Sequence, residues 1–106
     1  MTSTTMAYSI IWEFHVPAEN RTEFEAAYAS DGLWASLFAK ADGFIGLDLL
    51  RCTESDARYL TIDRWSSQHA FENFKEAFVP EYEALDNRLE GITTSETRLG
   101  AFTSAP

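Results

Sequence analysis

The feature that most constrains this chain is the order in which its hydrophobic period changes from two residues to a helical repeat and back. Tyr8-Ser-Ile-Ile-Trp-Glu-Phe-His-Val16 alternates, with Tyr8, Ile10, Trp12, Phe14 and Val16 on one face and Ser9, Ile11, Glu13 and His15 on the other. Pro17 closes this strand, and Asn20 with Glu23 has the spacing of a capping box. Phe24, Ala27 and Tyr28 then fall at helical spacing. After the break at Ser30-Asp31-Gly32, so do Leu33, Trp34, Leu37, Phe38 and Ala41. Phe44 to Cys52 reads as a strand with Ile45, Leu47 and Leu49 on one face, and Ala57 to Trp65 pairs back with it across the polar turn Thr53 to Asp56. Ala70, Phe71, Phe74, Ala77 and Phe78 mark a second helical segment. Pro80 is expected to kink or interrupt it, and Tyr82, Leu85 and Leu89 carry the helical spacing on to Gly91. Ile92 to Phe102 forms a weaker last strand. The resulting order is strand, helix, strand, hairpin, strand, helix, strand. It predicts an α+β, ferredoxin-like split βαβ domain with a four-stranded antiparallel sheet.

A chain of 106 residues has room for one domain. We expect it over residues 8–102, between a flexible N-terminus at 1–7 and a frayed tail at 103–106. Eight Phe, four Tyr and three Trp are more apolar surface than a lone small domain hides, which points to a homo-oligomer. The net charge of -9 weighs against nucleic acid and against anionic membrane surfaces. The single cysteine, Cys52, excludes an internal disulfide and a cysteine-based zinc cage, and its place at the end of an apolar run suggests a buried, inert thiol. Met1 to Ala7 lacks a basic leader and no apolar run reaches membrane-spanning length, so a cytoplasmic location is expected.

The usual catalytic motifs are missing: there is no glycine-rich phosphate loop, nucleophile elbow or zinc-binding helix. His15, two residues from Glu13 on the polar face of its strand, has the chemistry of a general base, although an ordinary ion pair is the commoner outcome for such a couple. His69 opens a helix among polar neighbours and reads as solvent-facing. The two histidines sit on different elements, so no metal site is expected. Trp12, Trp34, Phe38, Trp65, Phe74 and Phe78 are either core or the walls of a flat aromatic pocket, and spacing does not separate the two. Arg64, between Asp63 and Trp65, has the geometry to hold a phenolate or carboxylate, with a rim salt bridge as the alternative.

Three stretches carry a family likeness. They are Gly43-Phe-Ile-Gly-Leu47, then Tyr59-Leu-Thr-Ile-Asp-Arg-Trp65 leading to Ser66 and Ser67, and Ala70, Phe71 and Phe74 beyond them. With the element order, they make the chain resemble the antibiotic biosynthesis monooxygenase (ABM) superfamily from about Tyr8 to Phe102. The resemblance implies a dimeric α/β barrel, a homodimer in which two sheets pack face to face. It also implies a pocket between sheet and helices that takes a small aromatic ligand. Relatives of this kind oxidise anthrones or quinols with O2 and no cofactor, because the deprotonated substrate itself reduces oxygen. On that reading His15 or Asp63 is the base and Trp65 stands with it at the catalytic centre, while Trp12, Trp34, Phe38, Arg64, Phe74 and Phe78 bind substrate. A non-catalytic dimer that binds a small molecule is the alternative. The haem-degrading branch fits less well. It carries a first-strand asparagine, a tryptophan in the helix after the third strand and an iron-ligating histidine beyond it, where this chain has Ile11 or Trp12, Phe74 and Ala84.

Overall fold

Alternation in the first segment builds β1 (Tyr8–His15), followed by a 3₁₀ turn and the helices α1 (Arg21–Tyr28) and α2 (Leu33–Phe38). The hairpin strands β2 (Phe44–Arg51) and β3 (Arg58–Trp65) come next, then α3 (Gln68–Ala77), α4 (Val79–Arg88) and β4 (Ser95–Thr103). The computed structural model describes residues 7–105. The strands form one antiparallel sheet in the order β2-β3-β1-β4, which is the four-stranded ferredoxin-like arrangement expected from the sequence. Among the described residues, no helix is long and apolar enough to cross a membrane.

The helical run is interrupted just before Pro80 rather than kinked at it. Pro80 stands in the first turn of α4, where its missing N–H and fixed φ are tolerated, and Phe78 (φ -121°) breaks the chain between α3 and α4. Several local expectations are corrected. Asn20 does not cap α1; its Nδ2 donates instead to the Ile92 carbonyl at 3.1 Å, tying the start of α1 to the approach to β4. Ser67 is the working cap, its Oγ accepting from the Ala70 N–H at 3.0 Å. A bulge between Phe44 and Gly46 breaks the expected alternation of β2, so Ile45 is 57% exposed while Leu47 pairs with Asp63 inside. Cys52 is half-buried rather than sealed. Thr103 is no tail residue, since it pairs with Tyr8; the expected N-terminal segment, Ala7 apart, and Pro106 lie outside the described residues.

The helices lie on the face that carries Tyr8, Ile10, Phe14, Leu47, Tyr59, Thr61 and Trp65, and the buried residues form one cluster there. Trp65 is 0% exposed, with Phe38, Phe44, Phe71 and Phe74 around it at ring-centroid distances of 5.2–5.5 Å. Gly43 makes this packing reachable. It adopts φ +91°, and a Cβ there would lie 2.6 Å from the Ala70 Cβ and 2.7 Å from the Ser66 Oγ. The α2–β2 turn thus closes directly onto the start of α3. Since Trp65 joins β2, β3, α2 and α3 in one aromatic cluster, Trp65→Ala is expected to lower stability by about 3–5 kcal/mol. Urea denaturation checks this, and a change below about 1 kcal/mol would contradict the role given to the ring.

Candidate functional site

Helical cover stops short of the last strand. Every residue of β4 except Gly100 is exposed, and along the line where the cover ends a cavity opens between β1, β3 and β4 on one side and α2 and α4 on the other. Parity decides what points into it. The β1–β3 register sets Ile10 opposite Asp63 and Trp12 opposite Thr61, and β4 adds Glu96 opposite Phe14 and Arg98 opposite Trp12. All of these face the helices. From above, Trp34 and Phe38 descend from α2, and Tyr82 and Asp86, four residues apart, from α4. The cavity proper is narrow, about 80 Å³, and opens to solvent at its mouth. A second, wider cavity of about 290 Å³ adjoins it and shares Trp12, Phe38, Asp63 and Tyr82. Ring-centroid distances of 5.0 Å from Trp34 to Tyr82 and 5.7 Å to Phe38 show these walls packed against one another.

Asp63 is the group with unusual chemistry. Its carboxyl is mostly buried and forms no ion pair among the described residues, and burial pushes its pKa up to about 7. The carboxyl therefore exchanges its proton near neutrality, as a general base at work requires. Around it, Tyr82 is pushed up to about 12, first by burial and then by Asp86, Asp63 and Glu96. Tyr28 is raised further, mainly by burial, so both phenols stay protonated donors. The Glu96 carboxyl is also raised, by burial and then by Asp86. Lys75 of α3 rests 3.8 Å above the Tyr82 ring centroid.

Of the residues expected at the site, Trp12, Trp34, Phe38 and Asp63 line this cavity together. The others lie elsewhere. His15 and Asp63 are on opposite faces of the sheet, and the His15 Nδ1 is hydrogen-bonded to the Ser95 Oγ at 2.8 Å. Arg64 is ion-paired with Asp48 on the uncovered face, because it is one residue out of step with Asp63. Trp65 is sealed in the core. Phe74 and Phe78 line a separate open groove beside Gly43 and His69. Among the described residues, no group of His, Cys, Asp and Glu is arranged to hold a metal ion. Sequence reading passed over Tyr28, Tyr82, Asp86, Glu96 and Arg98. The i, i+4 pair Tyr82 and Asp86 was legible as one helix face, whereas Glu96 and Arg98 needed the β1–β4 register.

The sequence profile of the antibiotic biosynthesis monooxygenase family matches residues 7–87. No curated protein sequence matches the chain. Among solved structures, it is similar to a variant of SnoaB, a cofactor-independent oxygenase from Streptomyces nogalater, at 26% identity and TM-score 0.71, with 94% of each chain covered. It is similar to a variant of MhuD with two manganese protoporphyrin IX molecules bound per active site, at 25% identity and TM-score 0.70, covering 93% of this chain and 95% of that one. A proposed antibiotic biosynthesis monooxygenase from Deinococcus radiodurans shares the fold at 14% identity and TM-score 0.74, covering 95% and 94%.

Because the folded Asp63 pKa of about 7 lies above the ordinary 3.8, the native state binds this proton more tightly than the unfolded chain. Stability from this group is complete below pH 3.8 and is lost as pH rises towards 7. Asp63→Asn is expected to flatten that part of the stability–pH curve and to stabilise the protein at pH 8 by roughly 2–4 kcal/mol. Denaturant titrations at several pH values check it. An unchanged slope would show that Asp63 is solvated.

Proposed function

The chain belongs to the antibiotic biosynthesis monooxygenase family, and on that premise we propose that it is a cofactor-independent monooxygenase that oxidises a small aromatic, quinol or anthrone-like substrate with O2. The observation that carries the reading is Asp63, a mostly buried, unpaired carboxyl titrating near neutrality on the wall of an aromatic cavity. In the proposed reaction Asp63 takes a proton from a phenol or from an activated CH2. The resulting phenolate or carbanion transfers one electron to O2, the two radicals combine to a peroxide anion, and that anion takes the proton back from Asp63 to give the hydroperoxide. Loss of water then leaves the quinone, so that an anthrone and O2 become an anthraquinone and H2O. The aromatic walls hold the flat substrate and limit water, while the Tyr82 and Tyr28 hydroxyls are donors available to developing oxyanion charge. Likeness at 26% identity to SnoaB, a cofactor-independent oxygenase, supports oxygenation without a cofactor. A porphyrin reading, raised by the likeness to MhuD, is less well supported, because neither histidine lines the cavity or its neighbour.

We also propose a homodimer formed through the uncovered face of the sheet. Ile11, Leu60 and Ile62 lie on that face with Leu50, 47% exposed, and Phe102, 50% exposed. Beside them are the ion pairs Arg58–Glu13, at 2.6 Å, and Arg64–Asp48. An apolar strip of this kind, framed by paired charges, has the composition of a subunit interface.

Oxygen uptake by purified protein with a panel of quinols and anthrones tests the enzyme reading. Asp63→Asn should lower kcat by about 10²–10⁴-fold, the range for loss of a general base, with an apparent pKa near 7 in the wild-type rate profile. His15→Ala should leave the rate within a factor of about two, since His15 lies on the other face. Saturable ligand binding with no oxygen consumption across the panel would favour the non-catalytic binding dimer instead. The interface is tested by sedimentation: a dimer at micromolar concentration is expected, and Leu50→Lys combined with Phe102→Lys should yield monomers. A wild-type monomer would rule out the sheet-to-sheet model.

A further inference from the structure

The two adjoining cavities that meet at Asp63 carry opposite charge. Beyond Asp63 itself, the first adds Asp86 and Glu96 and has no basic side chain, whereas the second adds Lys75 and Arg98 and no further acid. The change of sign runs along one strand. Glu96 and Arg98 are two residues apart on β4, on the same face, opposite Phe14 and Trp12, so their Cα atoms are about 7 Å apart. Between them lies an apolar waist of Trp12, Phe38 and Tyr82. The cations are not engaged elsewhere: among the described residues neither Lys75 nor Arg98 forms a salt bridge, and Lys75 rests on the Tyr82 ring. The chain has only eight basic residues against seventeen acidic ones. Two of the eight, both without a carboxylate partner, at one end of one cleft are therefore a local exception to the field of the whole protein.

Resting on the reading that this cleft takes an aromatic substrate, we infer that the substrate is polarised end to end. Its hydroxyl-bearing rings lie towards Asp86 and Glu96, which accept their hydrogen bonds, and an anionic substituent such as a carboxylate lies towards Arg98 and Lys75. Arg98 is the specificity residue in this arrangement, because its planar guanidinium pairs with a carboxylate through two hydrogen bonds. The aromatic waist holds the fused rings between the two ends and keeps the reacting carbon beside Asp63. A substrate anionic throughout would meet three carboxyl groups in the first cavity, and a cationic one would meet Arg98 and Lys75 in the second.

Equilibrium dialysis with a dihydroxyanthraquinone carboxylate and its uncharged hydroxymethyl counterpart tests the inference. Neither compound reacts with O2, so affinity is read apart from turnover. The net charge of -9 disfavours the carboxylate at long range, which makes a preference for it diagnostic of local cations. The carboxylate is expected to bind about tenfold more tightly, equivalent to about 1.4 kcal/mol, and Arg98→Gln should bring the ratio of the two affinities to about one. Equal affinities, a preference for the hydroxymethyl compound, a carboxylate preference that survives Arg98→Gln, or no binding of either would overturn it. Charge-selective binding with no oxygen uptake from the matching anthrones would support this inference while removing the monooxygenase reading.

Discussion

Because successive side chains of a strand point to opposite faces, the antiparallel register of β1 with β3 assigns every group near the centre of this sheet to one of two environments. Ile10 opposite Asp63 and Trp12 opposite Thr61 place a carboxyl and an indole under the helices. One step along, Glu13, His15, Arg58 and Arg64 face the uncovered side, where charges pair in contact with water. A slip of one residue would exchange the two sets. It would bury three ion-pairing groups and expose Trp65, which the aromatic cluster around that ring does not permit. The register is held by packing, and the site inherits its geometry from the register.

The second constraint is the extent of the helical cover. Four short helices cover β2, β3 and β1 but not β4, whose residues are exposed apart from Gly100. Asp63, on β3, stands one strand in from that boundary, on the wall of the cavity. It is buried enough to lose most of its hydration, yet it borders a cavity open to solvent. An unpaired carboxyl in such a place works against folding, and the dense core a few residues away at Trp65 offsets it. A group whose proton is poised near neutrality, beside rings that bind flat molecules, is the kind of local disadvantage that active sites retain.

How far the site was legible follows from the same two constraints. The apolar wall formed by Trp12, Trp34 and Phe38 could be read from periodicity, since large rings at strand and helix spacing end up under the helices whether they fill core or line a pocket. Asp63 could be nominated from its neighbourhood but not separated from Arg64 or His15, because their pairing across the sheet depends on register. Trp65, Phe74 and Phe78 share the spacing of the pocket rings, yet the close approach at Gly43 draws α3 against Trp65 and leaves all three in the core or beside a separate groove. Glu96 and Arg98 occur in a polar, weakly alternating stretch that reads as an ordinary solvated edge. A bulge between Ile11 and Trp12 in the β1–β4 pairing resets which residues of β4 face inwards.

The amino-acid sequence alone determined the element order, the four-stranded antiparallel sheet and the family, because these rest on local periodicity, on turn residues such as Gly43 and Gly91, and on short stretches around β2 and β3. Tertiary structure decided which aromatic rings became core and which became wall, and which carboxyl lost its water. It also decided where Lys75 and Arg98 came to face the acids across one cleft. Those outcomes turn on contacts between residues far apart in the chain: strand register, two bulges and the reach of the helices over the sheet. A single-strand or single-helix pattern carries no information about them, because periodicity says that a side chain turns inwards but not what it meets there.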